Sequence, residues 1–205
     1  MNKKIIFLIC IFTISTIQAQ DISYGVILGG NFYNDNRSNS GPNDVFFDSG
    51  NGDFIVPNFG AYFEYGFHKN MGAKLEVSFN KKSFEKGFAN SNLNEIYNLS
   101  FIDINPNFKY EFGDEYRKGF YLLLGPKIAL LTKATFEGND VKSDFESVNL
   151  GIDLGFGQRF LKFLEMECKV DYGLTPFFKQ EGSKSSKLFG VYLNLNVDIE
   201  RLIKN

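Results

Sequence analysis

The side chains that could do chemistry in this sequence are charged residues placed at every second position within apolar segments. Lys74 and Glu76, for example, alternate with Ala73, Leu75 and Val77. Charges of both signs on one face can neutralise each other by pairing. Ten such residues are predicted to form a paired charge network: Glu64, Lys74, Glu76, Lys109, Lys127, Asp153, Arg159, Glu165, Lys169 and Asp171.

The remaining residue types offer little catalytic chemistry. His68 is the only histidine, and it falls in a predicted tight turn, where a solvated histidine is a simpler interpretation than a Ser–His–acid site. No CxxC, HExxH or phosphate-loop motif occurs. The loop 48–53 is rich in oxygen ligands but lacks the spaced acids and closing Glu of a calcium hand, so a surface loop is favoured. We predict no catalytic residue, metal or cofactor, and no enzyme activity.

The segments that carry these charges alternate between apolar and polar residues with period two, which predicts β-strands. Eight antiparallel strands are predicted, and the predicted fold class is all-β. The clearest are 59–67, 71–80, 150–157, 164–173 and 191–200, and three less regular ones are 22–33, 96–112 and 119–133. The apolar phase of 96–112 changes near Phe101 and Ile102, which predicts a β-bulge there.

The connections between these strands alternate in length. Long polar connections are predicted at 34–53, 84–95, 137–146 and 179–187, and short ones at 68–70, 113–118 and 161–163. An up-and-down membrane barrel has long connections outside the cell and short turns in the periplasm. We therefore predict an eight-stranded antiparallel up-and-down transmembrane β-barrel with both chain ends on the periplasmic side.

Alternation alone does not say which face of a barrel is inside. A soluble lipocalin-like barrel has its apolar face inward, around a ligand, whereas a membrane barrel turns it toward lipid. The polar face carries both signs of charge and alternates long side chains with Gly, which suits a narrow filled lumen. Lipid-facing apolar residues are therefore favoured. Pro57, Pro106 and Pro126 cannot donate a ladder hydrogen bond, so they are predicted to mark bulges or strand ends.

The first residues differ from the rest. Lys3 and Lys4 precede an uncharged apolar run, 5–17, and then Gln18-Ala19-Gln20. The run is shorter than the roughly 20 residues of a spanning helix. This layout predicts a signal peptide, 1–19, followed by a barrel domain, 20–205. With a formal net charge of -2, the chain is not expected to bind nucleic acid.

Several segments resemble the PorT-like outer-membrane β-barrel family of Bacteroidetes-type bacteria. They are 18–32 at the signal junction and first strand, 102–110 (IDINPNFKY), 120–128 (FYLLLGPKI) and 169–175 (KVDYGLT). The resemblance covers the whole chain after the leader and implies a location in the bacterial outer membrane. The name-giving member is associated with a secretion system, a role that fold resemblance alone does not transfer.

These observations predict an outer-membrane barrel of structural or interaction type, with a plugged polar lumen and long extracellular loops. Its expected partners are outer-membrane lipid and, through the loops, other envelope proteins. The alternatives are a secretion-system accessory, a small-solute pore that uses the same inward charges, a membrane-embedded lipid enzyme, and a soluble ligand-binding barrel.

Overall fold

The computed structural model describes residues 21–35, 45–49, 55–88, 91–113, 116–179 and 187–203. The predicted signal peptide and most of the loop 48–53 lie outside these residues. The strands of the described chain are β1 (Asp21–Asp35), β2 (Val45–Ser49), β3 (Ile55–His68), β4 (Met71–Phe88), β5 (Ser91–Phe112), β6 (Phe120–Phe136), β7 (Asn139–Asp140), β8 (Val148–Leu161), β9 (Leu164–Gly173) and β10 (Leu188–Asp198). A short helix, α1 (Ile199–Ile203), follows β10.

All of these strands except β2 and β7 form a closed antiparallel barrel. The order around the wall is β1, β3, β4, β5, β6, β8, β9 and β10, and β10 pairs with β1 from Gly25–Asp198 to Asp35–Leu188. Each wall strand therefore pairs with the next one along the chain. Of the other two, β2 pairs with the far end of β4, and β7 with the far end of β6. The predicted eight-stranded up-and-down barrel is confirmed.

Charged side chains face the lumen and apolar side chains face outward. In β8, for example, Asp153 is 0% exposed while the adjacent Leu154 is 56% exposed. The same alternation runs through β6, β8 and β9. This is the orientation predicted from the sequence, because charged side chains in a narrow lumen lie close enough to neutralise one another by pairing. Among the described residues, no helix is long and apolar enough to cross a membrane.

The two ends of the barrel differ. At the short-turn end, turns are found at 69–70, 116–119 and 162–163, and α1 lies beside them. At the long-connection end, β4 and β5 extend over 18 and 22 residues and stay paired as far as Phe88 and Ser91. The predicted loop 84–95 is therefore wrong for its described part, which continues the hairpin. Its polar composition resembled a loop because this part of the hairpin lies beyond the apolar band.

The predicted bulge near Phe101 lies on the neighbouring strand instead. Alternate residues of β5 face inward without a change of phase. The register shift is on β6, where Ser100 pairs with Lys133 but Phe101 pairs with Leu131, which leaves Thr132 as the extra residue. The apolar phase of β5 changes in the sequence because the lumen itself changes there from polar to aromatic.

The three prolines have two different placements. Pro57 lies at a register shift between β1 and β3, as a bulge residue would. Pro106 and Pro126 lie in the middle of β5 and β6, so for them the prediction of bulges or strand ends is wrong. The pairing of β5 with β6 lapses between Ile104 and Phe108, where the register sets the two prolines opposite each other. Pro106 and Pro126 both lack a backbone N–H. Because they are opposite each other, the missing hydrogen bonds between β5 and β6 are confined to one pair of residues.

Candidate functional site

The middle of the lumen is crossed by ion pairs between opposite walls. Lys74 of β4 is 2.5 Å from Glu167 of β9 and 2.9 Å from Glu76 on its own strand. Lys169 of β9 in turn contacts Glu76 and lies 3.5 Å from Glu167. Because β4 and β9 are four strands apart in a ring of eight, these contacts span the full diameter of the barrel.

A second group of charges lies beside the first, toward the short-turn end. Lys109 of β5 is 2.9 Å from Glu64 of β3 and 2.8 Å from Glu111. Its ammonium group also lies 4.0 Å from the centroid of the Tyr121 ring. The Tyr121 hydroxyl donates to Glu167 at 3.0 Å. Tyr121 thus links the two groups of charges. These contacts with the ionised lysines and acids offset the cost of burying them.

Toward the long-connection end, the ionic layer is built around one lysine. Lys127 of β6 lies 2.7 Å from Asp171 and 3.1 Å from Asp103. It also donates to the hydroxyls of Tyr33, at 2.8 Å, and Tyr192, at 2.5 Å. The Tyr192 hydroxyl donates to Asp103 at 2.7 Å. Two of these contacts again span the diameter: Lys127 of β6 with Tyr33 of β1, and Tyr192 of β10 with Asp103 of β5.

Lys82 lies where the ionic layers end, on the side of the long-connection end. Its side chain is buried, and its ammonium lies 4.0 Å from the Tyr33 ring centroid and 4.3 Å from that of Phe101. Within the described residues it has no hydrogen-bond partner. The faces of the aromatic rings replace an anion here, because the ring quadrupole attracts a cation.

On the long-connection side of Lys82, buried aromatic side chains form a cluster that we call the aromatic cap and define as Phe84, Tyr97, Phe101, Phe145 and Phe177. Phe145 comes from the β7–β8 connection and Phe177 from the β9–β10 connection, and both side chains are fully buried. The Phe177 ring stacks on Phe84 at a centroid distance of 5.4 Å, and Tyr97 meets Phe145 at 5.8 Å. The two connections are joined by the backbone hydrogen bonds Glu146 to Phe177, 2.8 Å, and Lys179 to Asp144, 2.8 Å.

Arginines form ion pairs at the short-turn end. Arg117, from the β5–β6 turn, donates to Asp198 at 2.5 Å, to Glu200 at 2.8 Å and to the carbonyl of Ile22 at 3.1 Å. The helix α1 begins directly after β10 and positions Glu200 for this contact. Burial, with the nearby Arg159 and Arg117 guanidinium groups, lowers the pKa of Arg201 below its usual range.

The structure places all ten residues of the predicted charge network on the inward side of the wall, where Arg159 is half-buried at the short-turn end and the rest are buried. Nine of them take part in ion pairs, whereas Asp153 accepts a hydrogen bond from the Asn105 amide. The prediction missed further inward charges and tyrosines: Lys82, Asp103, Glu111, Arg117, Glu167, Asp198, Tyr33, Tyr121 and Tyr192. Counting every second residue along each strand from the predicted ones identifies most of them. Arg117 lies in a turn, where residues do not alternate between two faces.

The remaining candidate groups are not assembled into a site. His68 is exposed at the short-turn end. Within the described residues, no group of three or more His, Cys, Asp and Glu side chains could hold a metal ion.

Residues 18–179 match the family described as outer membrane protein beta-barrel domain. The chain belongs to this family. It is accordingly a protein of the outer membrane, and its apolar outer face is in contact with lipid. The match ends before the last strand, β10, although that strand closes the barrel onto β1.

Several solved structures of outer-membrane barrels are similar to this chain, at low sequence identity. The attachment invasion locus protein Ail of Yersinia pestis is 14% identical, with 87% of this chain and 95% of Ail covered and a TM-score of 0.40. The N-terminal barrel of Pseudomonas aeruginosa OprF is 14% identical, covering 87% and 99%, with a TM-score of 0.36. The E. coli outer membrane protein W is 12% identical, covering 85% and 97%, with a TM-score of 0.38. No curated protein matches the chain in sequence.

Proposed function

We propose that this outer-membrane barrel is a non-conducting protein of structural or interaction type, with a plugged lumen. The observation that carries this proposal is the set of contacts across the diameter. Lys74 meets Glu167, and Lys127 meets Tyr33, from opposite walls at two levels of the barrel. Side chains that touch across the whole lumen leave no continuous path for water or a solute, which is how a narrow barrel of eight strands is filled.

The two ends support the same proposal. The aromatic cap blocks the long-connection end with rings that no hydrated ion can pass without displacing them, and Arg117 occupies the short-turn end. A pore would expose its inward charges to a water column. Here Lys74, Lys109, Glu64 and Glu167 are 0% exposed. Dry charges of this kind are tolerated only because each has an opposite charge nearby.

Planar-bilayer recording tests the closed lumen. The purified barrel, with insertion verified by a gel mobility that shifts on heating, should give no stable conductance. Reproducible channels of uniform size would overturn the proposal and favour the small-solute pore. Lys69→Ala, in an exposed turn, is a control that should match the parent protein, and brief irregular currents shared with it would reflect imperfect insertion.

We further propose that the long-connection end faces the outside of the cell and presents the interaction surface. The support is the general arrangement of bacterial barrels, which have short periplasmic turns. In a Cys168→Ser background, Ser143→Cys at the long-connection end should react with an impermeant maleimide on intact cells. Lys69→Cys at the short-turn end should react only after the outer membrane is opened. The reverse labelling pattern would overturn this orientation.

The finer assignments from the sequence are proposals of the same kind. The PorT-like resemblance is supported by its motifs, of which 102–110 and 120–128 lie on the adjacent strands β5 and β6. A signal peptide, 1–19, cleaved after Ala19, predicts that Gln20 is the first residue found by sequencing the mature protein. We propose that His68 has no catalytic role, so His68→Ala should leave any measured activity of the protein unchanged.

A further inference from the structure

A polar groove lies on the outer surface of the wall, where apolar residues would be expected. We call it the lysine groove and define it by the outward residues of β4, β5 and β6 that line it: Lys81, Ser83, Asn98, Ser100, Lys133 and Thr135. It encloses about 380 Å³ near the long-connection end. None of the described residues that line it is acidic.

The strand register aligns the two lysines of this groove. Lys81 pairs with Ser100 across β4–β5, and Ser100 pairs with Lys133 across β5–β6. Adjacent strands are about 4.8 Å apart, so the two lysine backbones lie roughly 10 Å from each other with a serine between them. Both lysines are exposed, and neither forms an ion pair within the described residues. The groove therefore carries two positive charges that form no ion pair with any described residue.

The β6 bulge is the reason that Lys133 faces outward. Leu131 faces the lumen, so strict alternation would turn Lys133 inward as well. The extra residue, Thr132, makes Thr132 and Lys133 both exposed and returns Ala134 to the lumen. The Thr132 hydroxyl donates to the Ser100 carbonyl at 2.9 Å, which occupies an acceptor at the irregular position. A local break in the ladder thus brings a second cation to the outer surface.

The lysine groove is continuous with the apolar, lipid-facing band. At the next outward position toward the short-turn end, Phe79, Ile102 and Leu130 occupy the same three strands, and Ile102 pairs with the other two. A lipid whose acyl chains lie against this band would carry its headgroup at the level of the two lysines. Lysine side chains at such a boundary extend toward the polar region, and basic pockets on a barrel or bundle surface bind anionic headgroups.

We propose that the lysine groove binds the phosphate group of a phosphorylated glycolipid in the outer leaflet. The two ammonium groups would neutralise the phosphate, and the Ser83 and Ser100 hydroxyls in the same groove could donate hydrogen bonds to its oxygens. The assignment to the outer leaflet rests on the proposed orientation of the long-connection end. Headgroup binding itself rests only on the groove and the apolar band.

Native mass spectrometry of the purified barrel in neutral detergent tests the site. The probes are lipid A, the same lipid A after enzymatic removal of its phosphates, and inorganic phosphate. Lipid A should bind, and Lys81→Gln with Lys133→Gln should weaken it by about 10–30-fold, since each lysine near a charged surface contributes about 1 kcal/mol. Binding should also weaken as the salt concentration rises.

The matched control is Lys69→Gln with Lys162→Gln, which removes the same charge at the short-turn end. It should leave lipid A binding unchanged, and both double variants should retain the heat-dependent gel shift of a folded barrel. An equal loss in the control, unchanged binding in the groove variant, or equal binding of the dephosphorylated lipid would overturn the proposal. Inorganic phosphate that binds as tightly as lipid A would overturn the lipid as occupant. None of these results depends on conductance or on labelling in cells, so failure here is distinct from failure of the closed lumen or of the orientation.

Discussion

The side chains that face the lumen differ in chemistry between its middle and its long-connection end. In the middle, strands on opposite walls supply lysines and acids that meet directly, as Lys74 and Glu167 do. At the long-connection end, two connections fold back and insert Phe145 and Phe177 between the walls. The middle is therefore held by strand register alone, while the aromatic cap depends on segments outside the wall. We expect the two regions to respond differently when each is disrupted.

The largest effect is expected in the ionic middle. Lys109→Met leaves Glu64 and Glu111 buried without their cation, which should lower the free energy of unfolding by about 3–5 kcal/mol. Circular dichroism against urea concentration, with the barrel in lipid vesicles, measures this loss. Adding Glu64→Leu removes one of the two stranded charges and should recover part of the stability, since Glu111 stays buried without Lys109. A single variant within about 1 kcal/mol of the parent protein would show that the charges are hydrated instead of dry.

A smaller effect is expected from the aromatic cap. Phe177→Ala in a closed core would cost about 3–5 kcal/mol, but here the β9–β10 connection can detach from the mouth, so the global loss should be about 2 kcal/mol. The change should appear locally, as faster hydrogen exchange at the Glu146 and Lys179 amides, which bond across the two connections. Bilayers should still show no channel, because the ionic layers below are intact. A stable channel from this variant would mean that the cap alone closes the lumen.

Close packing in the middle gives a third test. A Cβ atom at Gly157 would overlap the Tyr121 ring, so Gly157→Ala should cost about 1–3 kcal/mol through overpacking. The adjacent Gln158 faces outward, and Gln158→Ala should cost less than about 0.5 kcal/mol. Urea unfolding compares the two. Equal effects would indicate that the Tyr121 ring moves freely and that the middle is not tightly packed.

The smallest effect is expected where the two regions meet. Lys82→Met removes a buried cation without a hydrogen-bond partner in the described chain, so relief of its desolvation should offset the lost contacts with Tyr33 and Phe101. The net change should be within about 1 kcal/mol in either direction. Compared with Lys109→Met in the same assay, it isolates the contribution of the paired acids. A loss as large as that of Lys109→Met would place Lys82 in the ionic network.

The charge network was predictable because β-strand alternation is local. Once a segment such as 71–80 is identified as a strand, the inward positions of Lys74 and Glu76 follow from a period of two. The aromatic cap was not predictable in the same way. Phe145 and Phe177 lie in connections without alternation, and burial of a loop side chain is decided by how the loop folds back over the barrel.

Sequence alone determined the eight wall strands, their antiparallel meander and the face that most of their side chains occupy, because these follow from local periodicity and from the lengths of the connections. Tertiary structure decided which charges meet. Lys74 and Glu167 are far apart along the chain and become neighbours only when the last strand closes onto the first. It also decided where the bulge lies, since a register shift belongs to a pair of strands, and the phase of β5 alone could not show that Thr132 of β6 is the extra residue.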